Sequence, residues 1–215
     1  MSATEAMLAR LLERYPPIGS CRAGIEAARE AMERCFEGGG KLLLCGNGGS
    51  AADCEHIAGE LLKGFERKRP LAEEAHRALS RQGDDGAELG AKLQRGLPAI
   101  PLVGFPSLAS AFANDVDGTL VFAQLVNALG NRGDVLLAMS TTGRGRNVAM
   151  AAIAARALGM VTIALTGRGG GKLARLCDMS IDAPGENTAE VQEMHVPIYH
   201  YLCRAIEERF FPDER

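Results

Sequence analysis

The stretch LLLCGNGGSAADCEHIAGELL, residues 42–62, changes character twice along its length. It begins as an apolar run typical of a buried strand, continues into the glycine turn GNGGS, and ends with the spacing of an amphipathic helix. Glycines in such a turn let the backbone approach a ligand closely, and the helix start offers N–H groups to a phosphate. The stretch therefore predicts a strand–turn–helix unit with a candidate phosphate site.

Further apolar runs follow along the chain and alternate with helical patterns. With the first run they read KLLLC (41–45), PAIPLVG (98–104), DVLLAMS (134–140), MVTIALT (160–166) and DMSIDAP (178–184). Continuous apolar runs suit strands that are covered on both faces, and alternation with helices implies right-handed crossovers into one parallel sheet. We therefore predict an α/β three-layer sandwich with a five-stranded parallel sheet.

Helical patterns flank and interrupt the predicted sheet. Residues 1–38 contain two helical patterns, the second ended by glycines, and residues 187–211 form one long pattern in which Pro197 threatens continuity. Residues 71–97 are polar, with RQGDDG as a turn, and predict an excursion of two short helices. We expect one domain over residues 1–215, with a helical extension at 1–38 and the excursion at about 71–97.

Composition excludes several classes of function. A formal charge of -3 and a pI near 5.9 give no general attraction to nucleic acid or to an anionic membrane. The basic runs FERKRP (65–70) and GRGR (143–146) are interpreted as solvated faces or local anion sites. The 6 cysteines contain no CxxC pair, and no run is long and apolar enough to span a bilayer. We expect a cytoplasmic protein with reduced thiols, no nucleic-acid partner and no membrane partner.

Three predicted loops share the chemistry of a phosphate site. They are CGNGGS after the first strand, STTGRGRN after the third and TGRGGGKL after the fourth. In a parallel sheet such loops meet at the carboxyl ends of the strands. None matches a dinucleotide or Walker fingerprint, so a phosphate is expected and a dinucleotide is not. Ser50 is a candidate N-cap of the following helix, with Asp53 three residues on.

The helix after the glycine turn carries His56 and Glu60, four residues apart and therefore on one face. The late helix adds Gln192, Glu193, His195 and His200. Gln192 and His200 are eight residues apart, which is about 12 Å along a helix. Their side chains converge on one point only if they lean together or come from different subunits.

At this level of detail the sequence resembles the phosphoheptose isomerases of the sugar isomerase (SIS) superfamily, over about residues 22–211. The resemblance is carried by GNGGSAADCEHIAGEL, FANDVDG, GDVLLAMSTTGRGRNV, ALTGRGGGKLA and VQEMHVPIYHYL. It implies a flavodoxin-like sheet (the SIS domain) and a homotetramer with active sites at subunit contacts. The implied reaction converts sedoheptulose 7-phosphate into D-glycero-D-manno-heptose 7-phosphate for lipopolysaccharide heptose.

The resemblance also implies site residues. The catalytic glutamate and histidine fall on Glu60 and His200. The phosphate and sugar contacts fall on Asn47, Gly48, Gly49, Ser50, Asp115, Ser140, Thr141, Thr142 and Gln192. In zinc-containing members the ligands of one zinc per site match His56, Glu60, Gln192 and His200.

The implied reaction needs these residue types. A carboxylate must move a proton between adjacent carbons through an enediol, while an acid serves the neighbouring oxygen. A zinc ion with nitrogen and oxygen ligands would polarise both oxygens. If Glu60 is a ligand it is a weaker base, so its two implied roles oppose each other.

Two features depart from the family. The isomerases usually show STSGNS where this chain has STTGRGR, so Gly145 replaces a serine that contacts phosphate. Either Arg144 or Arg146 compensates by charge, or the phosphate sits differently. The excursion at 71–97 is longer than in the well-known enzymes, and a second hypothesis is that it covers the pocket and changes which sugar fits.

Two alternatives to an enzyme stay open. A tetrameric scaffold related to the replication-initiator-associating proteins shares the fold and the glycine loop but lacks the carboxylate and histidine equivalent to Glu60 and His200. A phosphosugar-sensing module without turnover usually accompanies a DNA-binding domain. The remaining residues of interest are interpreted as core or surface groups: His195, Cys54, Met139 and Met194 in the core or an interface, and Asp53 as a helix-start charge.

Overall fold

The computed structural model describes residues 2–212; Met1 and residues 213–215, which the single-domain prediction includes, lie outside the described residues. The strands are β1 (Leu42–Cys45), β2 (Ala99–Pro101), β3 (Val135–Ser140), β4 (Val161–Gly167) and β5 (Met179–Ala183). They form one sheet in the order β2-β1-β3-β4-β5, and every neighbouring pair is parallel. The predicted five-stranded parallel α/β fold is confirmed.

Helices connect and cover these strands. In the described part of the chain the α-helices are α1 (Ala3–Arg14), α2 (Arg22–Glu37), α3 (Gly49–Leu62), α4 (Glu73–Ser80), α5 (Asp84–Lys92), α6 (Pro106–Phe112), α7 (Val121–Leu129), α8 (Arg146–Ala157), α9 (Gly171–Leu176) and α10 (Thr188–Phe210). No helix within residues 2–212 is both long and apolar enough to cross a membrane.

The sheet separates two hydrophobic cores. Leu42 and Leu44 of β1 face a core that includes side chains of α1, α2, α3 and α10, whereas Leu43 and Cys45 face a second core with α7 and α8. Successive side chains of a strand point to opposite faces, so a strand buried on both sides is apolar at every position. This arrangement explains the continuous apolar runs in the sequence.

Strand β2 is shorter than the predicted run at 98–104. Pairing with β1 ends at Pro101, and Leu102–Gly104 form a 3-10 turn. Proline has no N–H to donate to a ladder, which is consistent with a strand that ends there. The segment between β2 and β3 then runs through α6, a π-helical turn at Ala113–Asp117, a 3-10 turn at Gly118–Leu120, and α7.

Helix α10 runs without interruption through Pro197. It begins after Asn187, whose side chain accepts a hydrogen bond from the Glu190 N–H at 3.1 Å. The helix buries one face in the core that it shares with α1, α2 and α3, including Ile198, Leu202 and Ile206. Tertiary packing of this face outweighs the unfavourable proline, so Pro197 does not break the helix.

The excursion contains the two short helices expected from the sequence, α4 and α5. They approach closely, because a Cβ at Gly86 would lie 2.0 Å from the Leu79 carbonyl oxygen. The excursion leaves and rejoins the domain through adjacent residues, since Pro70 and Gln94 form an isolated antiparallel bridge. Helix α4 has no buried residue, and α5 buries only Gly86 and Gly90. The excursion is therefore a satellite hairpin with little core of its own.

Candidate active site

The loops after β3 and β4 pack backbone to backbone at the carboxyl edge of the sheet. The Leu173 N–H donates to the Gly143 carbonyl at 3.0 Å, and the Gly167 N–H donates to the Thr141 carbonyl at 2.9 Å. Gly143 has φ +61, and a Cβ there would lie 2.0 Å from the Gly170 carbonyl oxygen. Only glycine fits a positive φ with so close a backbone neighbour. The two glycine-rich loops thus form one surface, as their position after parallel strands predicts.

The loop after β1 is joined to the same surface by two asparagines. The Asn47 amide donates to Asn147 Oδ1 at 2.9 Å, and the Asn147 amide donates to Asn47 Oδ1 at 2.8 Å. Asn147 also accepts the N–H of Val148 with Oδ1 at 3.0 Å. Asn147 is a site residue that the motifs did not indicate, although its place at the start of the helix after GRGR is a signal that could have identified it.

The turn GNGGS differs in one respect from the prediction. Helix α3 begins at Gly49, and its N-cap is Gly48, with φ 56 and no side-chain cap hydrogen bond. Ser50 is therefore not the N-cap; it lies inside the first turn, and its side chain is buried. The positive φ of Gly48 starts the helix earlier than a serine cap would allow. The predicted cap was wrong, and the Ser50 N–H donates to the Asn47 carbonyl at 3.1 Å.

Gln192 of α10 lies against the glycine turn. A Cβ at Gly49 would be 2.3 Å from Gln192 Nε2, so the amide occupies the space that a larger residue at 49 would need. This contact brings the first turn of α3 and the first turns of α10 together. Gln192 therefore lies at the phosphate end of the site, beside the predicted cradle.

His56, Glu60 and His200 meet at the other end of α3. His56 Nε2 lies 3.2 Å from Glu60 Oε1 and 3.5 Å from His200 Nε2. The second carboxylate oxygen, Glu60 Oε2, is buried without a hydrogen-bond partner in the described residues and lies 3.5 Å from Lys63 Nζ. Glu60 and His200 therefore both lie close to His56 within one chain.

The environment of His200 favours its neutral form. Burial lowers the pKa of His200, and the nearby His56 and Arg204 lower it further, while Glu60 and Glu66 act in the opposite direction. A neutral imidazole has one nitrogen that donates a hydrogen bond and one that accepts. Such a ring can pass a proton to or from a substrate oxygen at neutral pH.

Tyr199 and Asp53 contact this cluster on the side of His56 Nδ1. The Tyr199 hydroxyl donates to Asp53 Oδ1 at 3.2 Å and lies 3.1 Å from His56 Nδ1. Burial raises the pKa of the Asp53 carboxyl, whereas the bond from Tyr199 lowers it. Asp53 therefore has a specific partner beyond a helix-start charge, and Tyr199 was not singled out in the sequence.

A buried ion pair fixes the end of α3. Arg69 Nε donates to Glu207 Oε1 at 2.8 Å, and the two side chains are 0% and 2% exposed. The guanidinium also donates to the carbonyl oxygens of Leu61 at 2.7 Å and Glu60 at 3.1 Å. The interpretation of FERKRP as a solvated or anion-binding run is wrong for Arg69, because a charged residue in sequence carries no sign of its distant partner.

The carboxylate of Glu207 has backbone donors as well. It accepts the Phe65 N–H on Oε1 and the Glu66 N–H on Oε2, each at 2.9 Å. The pair thus ties the segment after the Glu60 helix to α10, which carries His200. Its groups do not face the glycine loops, so its role is to position the two elements.

The other predicted substrate contacts are less closely joined. Thr142 Oγ1 accepts the Arg144 N–H at 3.3 Å, and Arg146 Nε donates to Thr119 Oγ1 at 3.2 Å. A Cβ at Gly145 would lie 3.5 Å from both Asn47 Nδ2 and Ser140 Oγ. Ser140 and Thr141 continue from β3 into the loop surface.

Asp115 lies in the π-helical turn, exposed, and accepts a hydrogen bond from the Asn114 amide at 2.9 Å. Among the described residues its carboxylate makes no hydrogen bond to the glycine loops. His195, by contrast, lies in the core as expected. It is 0% exposed, and its Nε2 lies 3.0 Å from the Thr166 carbonyl oxygen.

The proposed ligand set has the donor types that zinc binds, but it is not assembled as a complete group. Among the described residues no group of three or more His, Cys, Asp or Glu side chains is arranged to hold a metal ion. Pairwise spacing is suitable, since two ligands on one tetrahedral zinc are roughly 3.3 Å apart when each lies about 2 Å from the ion. The His56–Glu60 and His56–His200 separations are 3.2 and 3.5 Å.

A parallel sheet with glycine loops at its carboxyl edge, and a histidine–glutamate cluster on the helix that follows the first loop, define an α/β domain with a candidate ligand site at that edge. The SIS domain family model matches residues 9–95 and 96–167. The chain belongs to the SIS domain family and, within it, to the phosphoheptose isomerase family.

Two relatives and one solved structure are similar to this chain over most of its length. The phosphoheptose isomerase of Methylibium petroleiphilum is 42% identical over 193 residues, covering 88% of this chain and 84% of the relative. That of Desulfovibrio desulfuricans is 40% identical, covering 82% and 72%. The solved phosphoheptose isomerase from Francisella tularensis has a TM-score of 0.75 and 31% identity, covering 97% of this chain and 100% of that one.

Proposed function

We propose that the protein is an aldose–ketose isomerase that converts sedoheptulose 7-phosphate into D-glycero-D-manno-heptose 7-phosphate. The observation that carries the proposal is the contact of His56 with both Glu60 and His200, on the helix that begins at a glycine turn suited to a phosphate. Membership of the phosphoheptose isomerase family supports this choice of sugar. A heptose phosphate of this kind fits a role in lipopolysaccharide heptose synthesis.

Glu60 is the proposed base. Its carboxylate takes the proton from the hydroxymethyl carbon of the ketose and returns it to the neighbouring carbon, through an enediol. Its side chain is 14% exposed, so little water competes for the carboxylate. His200 is the proposed acid, which gives a proton to the carbonyl oxygen and takes one from the adjacent hydroxyl, so no proton is gained or lost overall.

The phosphate is proposed to lie at the opposite end of the site. The N–H groups of Gly48 and Gly49, the Ser50 hydroxyl and the amide of Asn47 provide donors at the start of α3. The hydroxyls of Ser140, Thr141 and Thr142 and the amide of Gln192 complete the proposed cradle. Asp115 is proposed to bind a sugar hydroxyl, from the same subunit or from a neighbouring one.

A zinc ion is proposed at His56, Glu60, Gln192 and His200, one per site. The pairwise spacing of the two histidines and the glutamate supports it. The Gln192 amide lies against Gly49 at the start of α3, so its side chain would have to turn toward the cluster for its oxygen to complete a nitrogen–oxygen set. Bound there, zinc would act as a Lewis acid toward the sugar's oxygens. Glu60 and His200 would still have to be close enough to the substrate to exchange protons.

We also propose a cytoplasmic homotetramer with active sites at subunit contacts. His200 lines a cleft of about 440 Å³ between α1 and α10, together with Arg10, Arg14 and Arg204. An open, basic cleft beside a catalytic group suits closure by a second subunit. All 6 cysteines are free, which fits a reducing compartment.

The test is to incubate the protein with sedoheptulose 7-phosphate in deuterated water, with and without zinc. We expect aldose formation and deuterium uptake, and Glu60→Gln should lower both by at least about a hundredfold. Glu55→Gln is the matched control, because Glu55 lies on the exposed face of the same helix. It should leave the rate unchanged.

The competing function is a phosphosugar-binding scaffold without turnover. It would give binding of the sugar phosphate with no deuterium uptake in the wild-type protein, and the same null result for Glu60→Gln. Retention of both Glu60 and His200, in contact through His56, favours the enzyme.

A further inference from the structure

A chain of three polar side chains runs from the interior toward the proposed catalytic groups. Tyr199 is 1% exposed, and its hydroxyl lies 3.2 Å from Asp53 Oδ1 and 3.1 Å from His56 Nδ1. The His56 and Tyr199 rings meet edge to face, with centroids 5.4 Å apart. Asp53 and His56 share one face of α3, because they are three residues apart.

The hydroxyl has one proton and two neighbours that can accept it. If it donates to Asp53, its oxygen accepts a hydrogen from His56 Nδ1; if it donates to His56, Asp53 faces a bare phenolic oxygen. An ionised carboxylate makes the stronger, charge-assisted bond. The first arrangement pairs Asp53, the phenol and His56 Nδ1, and the second leaves Asp53 unsatisfied.

Glu60 favours the opposite tautomer of His56, with the hydrogen on Nε2. Its Oε1 lies 3.2 Å from His56 Nε2 and would accept a hydrogen bond from that atom. Glu60, however, also has the Lys63 ammonium 3.5 Å from its other oxygen. Asp53 takes its hydrogen bond from Tyr199. Loss of the Tyr199 hydrogen bond would therefore cost Asp53 more than loss of a His56 hydrogen bond would cost Glu60.

We infer that Asp53 and Tyr199 are positioning residues that keep a hydrogen on His56 Nδ1 and so reserve His56 Nε2 for the site. With Nδ1–H held by Tyr199, the Nε2 atom points toward Glu60 and His200 and is the one available to a proton or a metal ion. A partner on the far nitrogen commonly orients a metal-binding histidine. The inference deepens the proposed function, because it rests on His56 serving that site.

The direct test is nitrogen NMR of the metal-free, full-length protein with labelled histidine. Protonated and bare imidazole nitrogens have well-separated shifts, and the His56 signals are identified by their absence in His56→Gln. We expect a hydrogen on Nδ1 in the wild type. Tyr199→Phe removes the acceptor, so the hydrogen should move to Nε2, where Glu60 accepts it.

Asp53→Ala is the sharper variant, because it keeps the phenol. The freed hydroxyl should then donate to His56 Nδ1 and drive the hydrogen to Nε2. Tyr201→Phe is the matched control, since Tyr201 is a second buried tyrosine on α10. It should leave the His56 shifts unchanged. A bare Nδ1 in the wild-type protein, or wild-type shifts in Asp53→Ala, would overturn the inference.

Zinc affinity gives a second readout, which separates the positioning role of Asp53 and Tyr199 from the zinc proposal. By competition with a chelator, Tyr199→Phe and Asp53→Ala should each weaken zinc binding about ten- to a hundredfold, and Tyr201→Phe should not. If the shifts move as expected but the wild-type protein binds no zinc, the positioning role stands and the zinc proposal falls. If zinc binds equally well to all variants and the shifts do not move, the positioning role falls while the proposed reaction is untouched.

Discussion

At the scale of single residues, position 145 has space for a larger side chain beside the proposed phosphate cradle. A Cβ there would lie 3.5 Å from Asn47 Nδ2 and Ser140 Oγ, so a serine would place its hydroxyl within the proposed phosphate cradle. Gly145 also occupies the N-cap of α8 with φ -58, a conformation that a serine adopts without strain. The site therefore has room for the hydroxyl that it lacks.

Gly145→Ser should lower the KM for sedoheptulose 7-phosphate several-fold, because it adds a hydrogen-bond donor to the phosphate. The new cap should also stabilise the fold by a few tenths of a kcal/mol over glycine. Steady-state kinetics and urea unfolding measure the two effects. Gly145→Ala is the control, since it fills the space without a donor; an equal drop in KM for both variants would exclude the hydroxyl as the cause.

His195 makes stability depend on pH. Burial lowers the pKa of His195, and its bond to Thr166 partly opposes this. The unfolded chain takes up a proton near pH 6.5, whereas the folded chain takes it up only at lower pH. Stability is therefore full above that pH, declines as the pH falls below it, and stops declining below the folded pKa.

His195→Gln should flatten this decline, because the amide can donate to the Thr166 carbonyl and does not titrate. Melting temperatures at pH 7.5 and at pH 5 measure the slope. His76→Gln on exposed α4 should keep the wild-type slope. Identical slopes in the wild type and His195→Gln would mean that another group carries the pH dependence.

At the scale of elements, the Arg69–Glu207 pair joins the end of the Glu60 helix to α10. Arg69→Met leaves Glu207 buried without its cation and removes the donors to the Glu60 and Leu61 carbonyls. We expect a loss of about 3–5 kcal/mol in the free energy of unfolding. Urea unfolding measures it, and Lys68→Met, at an exposed neighbour, should change stability little.

The excursion is an element that the fold can lose. Replacing residues 71–93 by a short Gly-Ser turn should change the free energy of unfolding by no more than about 1 kcal/mol, because Pro70 and Gln94 are already paired and little is buried. Gln94→Ala is the contrasting variant, since it removes the 2.8 Å bond from the Gly64 N–H to Gln94 Oε1. A loss of several kcal/mol in the replacement would show that α4 and α5 support the domain.

The same replacement tests the hypothesis that the excursion selects the sugar. If it covers the pocket, kcat/KM for ketose phosphates shorter than sedoheptulose 7-phosphate should rise relative to that for the heptulose. If the ratio does not change, the excursion has no part in selecting the sugar.

At the scale of the whole molecule, the parallel sheet could be predicted because strands buried on both faces leave continuous apolar runs. The face shared by His56 and Glu60 could be predicted from helical spacing, and it brings their side chains to 3.2 Å. Contacts between residues far apart in sequence could not be predicted. The bonds of Tyr199 to Asp53 and of Arg69 to Glu207 depend on how α10 packs, which periodicity does not specify.

The predictions of a Ser50 N-cap and of a longer β2 were wrong for local reasons. A glycine with positive φ began α3 earlier than a serine cap would, and Pro101 lies at the end of the β2 ladder. The glycine pair and the proline are both visible in the sequence. Residue spacing alone nevertheless favoured a serine N-cap and a strand that continues past the proline.

The continuous packing of helix α10 also determines how the protein loses activity when it unfolds. Gln192, Tyr199, His200 and Glu207 all belong to one rod whose inner face is buried from Val191 to Ile206. Fraying of a surface loop cannot displace these groups, so their amide protons should exchange with solvent only through global opening. Activity and structure should then disappear together in urea, which would make turnover itself a gauge of the folded fraction.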